Sequence, residues 1–153
     1  MESASKLDIM KNVYRKLSGM MVAFDIPEYD PDMSPEMVEK YIGGDYNDAI
    51  RDMGVNLDNV DKGSTMELAI ETKTIIFALR RFKATTAVWF KFSTAVDGKT
   101  IDKTKVFEAI DTTIKDYEKE YQDYIMSATG KSLGNRWDRK AHNHIKRGEC
   151  YDK

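Results

Sequence analysis

His142 and His144 flank Asn143, with Glu149 and Cys150 a few residues further on. Imidazole, carboxylate and thiolate are zinc donors, but structural zinc takes four ligands at a spacing that pins them, and this cluster lacks that pattern. The letters His-Asn-His also spell a nuclease signature. Nucleases of that kind disperse the residues over a ββα unit with metal-binding support, which a contiguous triplet does not provide. Asn56, Asp58, Asn59 and Asp61 alternate amide and acid as calcium loops do. An EF-hand needs glycine at its sixth position and glutamate at its twelfth, and counting from Asp52 or Asn56 does not give both. Gly43-Gly44 lacks the lysine and spacing of a phosphate-binding loop. No serine is spaced with a base and an orienting acid as nucleophilic catalysis requires. The chain reads as a non-enzyme, with no metal and no cofactor expected.

Trp137 sits among Arg136, Asp138, Arg139 and Lys140, and its type and surroundings suit binding more than catalysis. Interleaved bases and an aromatic hold nucleic acid by charge and stacking. Trp and Arg are equally the usual anchors in a groove on a protein partner. Leu133, Ile145 and Tyr151 favour the groove, because a merely solvated tail has no use for them. Packing of Trp137 back onto its own helices is the third reading.

The rest of the chain must position such a segment. Its 153 residues, 41% hydrophobic and 33% charged, suit one domain with one core. The net charge of −2 hides an asymmetry: residues 129–153 hold seven basic and three acidic side chains, net +4, leaving −6 on residues 1–128. An acidic body with a basic tail suggests that the tail meets an acidic surface or nucleic acid. No apolar run reaches about 18 residues, so no membrane helix is expected. The first residues lack the pattern of a signal peptide. Cys150 is the only cysteine, which excludes an internal disulfide and points to a reducing compartment.

Apolar residues at three- and four-residue spacing predict a helix over Leu7–Phe24, weakened at Ser18-Gly19. Pro27 and Pro31 make Asp25–Met33 a linker. Ser34-Pro35-Glu36 is a strong helix start. Gly43-Gly44 is expected to end that helix, with Asp45 capping a second short one that Gly54 closes. Val55–Gly63 reads as a solvated loop. Ser64-Thr-Met-Glu67 is a capping box that opens a helix to about Phe90, with Leu68, Ile75, Ile76, Leu79, Phe82 and Trp89 as its core stripe. A last helix over Lys103–Ser127 carries Val106, Phe107, Ile110, Ile114, Tyr117, Tyr121, Tyr124 and Ile125 on a matching stripe. Between them Phe90, Phe92, Thr94 and Val96 alternate toward Asp97-Gly98, a favoured two-residue hairpin turn. The expected fold is mainly α: a small helical bundle with two long antiparallel helices joined by a projecting hairpin or loop (about 90–102). Residues 1–128 form this body, and 129–153 an extended C-terminal arm.

The stretch Val88–Val106, with Phe-Ser-Thr-Ala-Val-Asp-Gly-Lys-Thr-Ile-Asp-Lys-Thr-Lys-Val at its centre, resembles the head-to-tail adaptor (connector) proteins of tailed bacteriophages. The likeness is one of pattern and covers about residues 34–128. It implies a virion protein of the neck, made in the host cytoplasm. Twelve copies would form a ring under the portal, extending the DNA channel and receiving a stopper or tail-completion protein. DNA would pass without sequence-specific binding, and no membrane is involved. The resemblance places subunit contacts on Phe92, Thr94, Val96, Asp97, Gly98 and Lys99. It places portal binding on Leu133, Arg136, Trp137, Arg139, Lys140, Ile145, Lys146 and Arg147. The alternative is a small cytoplasmic helical DNA-binding or regulatory protein, which would show a salt-steep affinity for DNA.

Overall fold

The computed structural model describes residues 2–22, 24–93 and 103–130, with side chains for 2–22, 24–85 and 107–130. Four α-helices make up the described residues: α1 (Lys6–Val22), α2 (Pro35–Met53), α3 (Thr65–Ser93) and α4 (Lys103–Thr129). The expected helical bundle is present.

Helix α3 is the hub. Ala69, Ile70, Ile75, Ile76, Ala78, Leu79 and Phe82 are all buried, as are Glu71, Thr72 and Thr74, so the helix is covered around most of its circumference. A helix apolar on most sides must be packed on most sides. The sequence stripe was therefore too narrow, and it wrongly included Leu68, which is exposed. Helices α1 and α2 cover one side of α3. Asn12 and Lys16 of α1 meet Glu71, and Phe24, just past α1, stacks on Phe82 with ring centroids 5.0 Å apart. In α2, Asp52 meets Lys73 and Asp45 meets Arg81, so α2 runs antiparallel to α3. In α4, Tyr121 lies under Lys73, Glu118 meets Arg80 and Asp111 meets Lys83. The long pair α3–α4 is thus antiparallel, as expected. Burying each large apolar side chain contributes about 1.5–3 kcal/mol, and Ile9, Val13, Tyr14, Val38, Ile42 and Ile110 join the α3 residues in one core.

The helix ends follow the sequence. Ser34 Oγ accepts from the Met37 amide, Pro35 opens α2, and Gly54 closes it at φ 63°. Ser64 Oγ accepts from the Glu67 amide at 3.3 Å; Glu67 reaches back to the Gly63 amide, one residue before the usual partner. Ser18 does not break α1, because its hydroxyl accepts from the Tyr29 amide at 2.8 Å and ties the linker to the helix. The chain turns out of α1 at Asp25, whose φ is +57°.

Three expectations are corrected. First, α2 runs unbroken through Gly43-Gly44, and Asp45 is a buried mid-helix residue rather than a cap. Second, Phe90 and Phe92 lie on the helical backbone of α3, which continues to Ser93, so they do not begin a strand. Third, Val55–Gly63 is more than a solvated loop. Val60 is buried, its carbonyl accepts from the Ala4 amide at 2.8 Å, and the Lys62 amide donates to Glu2. Its amide-and-acid series serves local turns, as when Asn56 Oδ1 accepts from the Asp58 amide.

Candidate interaction surfaces

Helices α3 and α4, with 29 and 27 residues, are longer than α1 and α2, with 17 and 19. Beyond Phe82, which stacks on Phe24, helix α3 runs on through residues 83–93. Eleven further residues at 1.5 Å each carry the helix about 16 Å onward. Lys83–Asp111 ties it to α4 at the base of this stretch. Of the expected subunit-contact residues, Phe92 falls on this helix; Thr94, Val96, Asp97, Gly98 and Lys99 lie outside the described residues. So do Leu133, Arg136, Trp137, Arg139, Lys140, Ile145, Lys146 and Arg147. Helix α4 ends one turn before them, with the Gly130 amide donating to Met126 and Gly130 at φ 66°.

Two buried carboxylates fix the body that carries this pair. Asp45 takes a two-pronged bond from Arg81: Nη2 donates to Oδ2 at 2.8 Å and Nε to Oδ1 at 3.1 Å. Arg81 Nη2 also donates to the Tyr41 carbonyl at 2.9 Å, so one guanidinium straddles the di-glycine step of α2. Burial raises the Asp45 pKa above the ordinary carboxylate value; Arg81 opposes this only in part, and Asp48 adds to it. Glu71, buried on α3, receives Lys16 on one oxygen and Asn12 on the other. Lys73 is held between Tyr121, Phe77 and Asp52. These are structural ion pairs, each occupied by the chain's own partner. Tyr124, bonded to Glu120, and Tyr121, half-buried against Lys73 of α3, both have raised pKa values and remain neutral phenols at ordinary pH.

A groove between the starts of α1 and α2 was not legible as such in the sequence. Lys6, Leu7 and Met10 of α1 and Pro35, Glu36 and Glu39 of α2 line an open cleft of about 380 Å³. Lys6 bridges it to Glu39 at 3.1 Å. The linker before it and the first turn of α2 expose Asp25, Glu28, Asp30, Asp32, Glu36 and Glu39, with no basic residue from 25 to 39. Met37 is exposed beside them. The run of acids could have been read from the sequence; the apolar floor needed the α1–α2 packing.

No family model, no curated protein and no solved structure matches this chain.

Proposed function

We propose that this protein is a structural connector of the phage head-to-tail adaptor type. In this reading it forms a ring on the portal vertex, extends the DNA channel and receives a stopper or tail-completion protein. The observation that carries the reading is the α3–α4 pair: two long antiparallel helices seated on a smaller helical body and running on toward the segment that joins them. In this reading residues 94–99, which lie outside the described residues, would grip a neighbouring subunit. The pair itself is fixed by the Arg80–Glu118 and Lys83–Asp111 ion pairs and a packed core. The tail after Gly130, with Trp137 among basic residues, would meet the portal. The acidic body, net −6 over residues 1–128, would repel DNA passing the channel.

The test is electron microscopy of the purified protein with portal particles, beside a DNA titration at two salt concentrations. Rings capping the portal, lost on Arg136→Ala with Trp137→Ala while helicity is kept, are the expected result. No ring, with DNA affinity falling steeply in salt, would replace this reading by the DNA-binding regulator.

A further inference from the structure

We infer that the groove between the starts of α1 and α2 is a docking site for the chain's own C-terminal segment, residues 131–153. The groove has an apolar floor, from Leu7, Met10 and Pro35, and a rim of Glu36 and Glu39, the latter paired with Lys6; Asp30 and Asp32 precede it in the chain. The segment has the complementary make-up. Its net charge is +4, and Arg136, Arg139 and Lys140 surround Trp137, with Leu133 nearby. An aromatic anchor seated on apolar surface with bases against a carboxylate rim is a recurrent docking arrangement. It would cover the apolar floor that the described residues leave open.

The geometry permits this within one chain. Helix α4 is antiparallel to α3, so Gly130 lies at the end of the bundle where α3 begins. The chain just before α3 is tied to the residues just before α1, through Ala4–Val60 and Lys62–Glu2. The groove's Lys6 and Leu7 follow directly. Seven residues separate Gly130 from Trp137, a reach of up to about 24 Å. A tethered partner also acts at an effective concentration near millimolar, which favours docking in cis over capture by a second copy. Portal binding by the same residues would have to displace this contact, so the free protein would hold its portal-binding strip covered. The inference depends on the groove and the chain's charges, and it stands or falls independently of the adaptor reading.

Cys150, the only cysteine, allows a test on the full chain without removing any residue. A nitroxide attached there, with amide resonances of residues 5–11 and 34–40 recorded, reports whether the segment reaches the groove. These amides are expected to lose most of their intensity at about 20 mM salt and regain it at about 500 mM, where charge attraction is screened within a few ångströms. Arg136→Gln with Arg139→Gln and Lys140→Gln, or Glu36→Gln with Glu39→Gln, is expected to restore the intensity at low salt. Amides unaffected by the label, or broadened equally in both charge-neutral variants, would overturn the proposal. Broadening seen only when isotope-labelled and spin-labelled chains are mixed would also overturn it, by showing docking between copies.

Discussion

Gly44→Ala separates one continuous α2 from two short helices broken at the glycine pair. Gly44 lies mid-helix, and a Cβ placed on it meets nothing within 4 Å. Alanine there gains the full difference in helix propensity, about 0.8–1.0 kcal/mol, with no steric offset. For a chain of this size that raises Tm by about 2–4 °C. At Gly43 the same change is not free. Its Cβ would stand 2.6 Å from the Glu39 carboxyl carbon, so that side chain must swing away and release Lys6. The exposed Lys6–Glu39 pair contributes at most about 1 kcal/mol, which cancels most of the gain. Gly43→Ala is therefore expected to be near neutral. Urea unfolding followed by far-ultraviolet circular dichroism reads both, the expected Gly44→Ala shift being about 0.3–1 M in midpoint at unchanged slope. A Gly44→Ala variant destabilised by 1 kcal/mol or more would mean that the glycine holds a conformation closed to alanine. The unbroken helix, and the Arg81 bond across it, would then be refuted.

The two buried carboxylates carry further predictions. The folded-state pKa of Asp45 is raised by burial above its ordinary 3.8, so the native state holds this proton to higher pH than the unfolded chain. Its stabilising contribution is then full below the ordinary value and is lost as pH rises through the raised one. Asp45→Asn should flatten that decline, so the variant's deficit in urea midpoint should shrink from pH 3 to pH 7; a deficit that grows with pH would contradict the assignment. Lys16→Met leaves Glu71 buried with only the long Asn12 bond, at 3.5 Å, and should cost about 3 kcal/mol. Adding Glu71→Gln should recover most of it, and thermal melts of the single and double variants decide the point.

Features legible in the sequence are those set by neighbours along the chain. Ser34-Pro35, Gly54 and Ser64–Glu67 mark helix ends because their partners are a turn away. The paired stripes of α3 and α4 are legible for the same reason. The glycine pair misled because propensity weighs about 2 kcal/mol against α2, whereas burial of Val38, Ile42, Tyr46 and Ala49 outweighs it. That burial depends on α1 and α3, beyond the reach of a local window. Phe90 and Phe92 alternate as a strand would, yet extending an existing helix needs no new nucleus, and α3 runs on. Asp45 and Glu71 showed nothing in sequence, since Arg81 and Lys16 lie dozens of residues away. Of the expected site residues only Phe92 lies on a described element, α3; the acids of 25–39 were legible, but the groove's apolar floor came from packing.

The position of α3 has a consequence for synthesis. Helices α1 and α2 are complete by Met53, but the α3 surface that Asn12, Lys16, Phe24, Asp45 and Tyr41 contact is not finished until about Phe82 has been made. At 5–20 residues per second, that leaves about 1.5–6 s in which a nascent chain carries two amphipathic helices with no place to bury them. Chaperone dependence during translation, and aggregation of chains halted between residues 53 and 82, are what such an order of appearance entails.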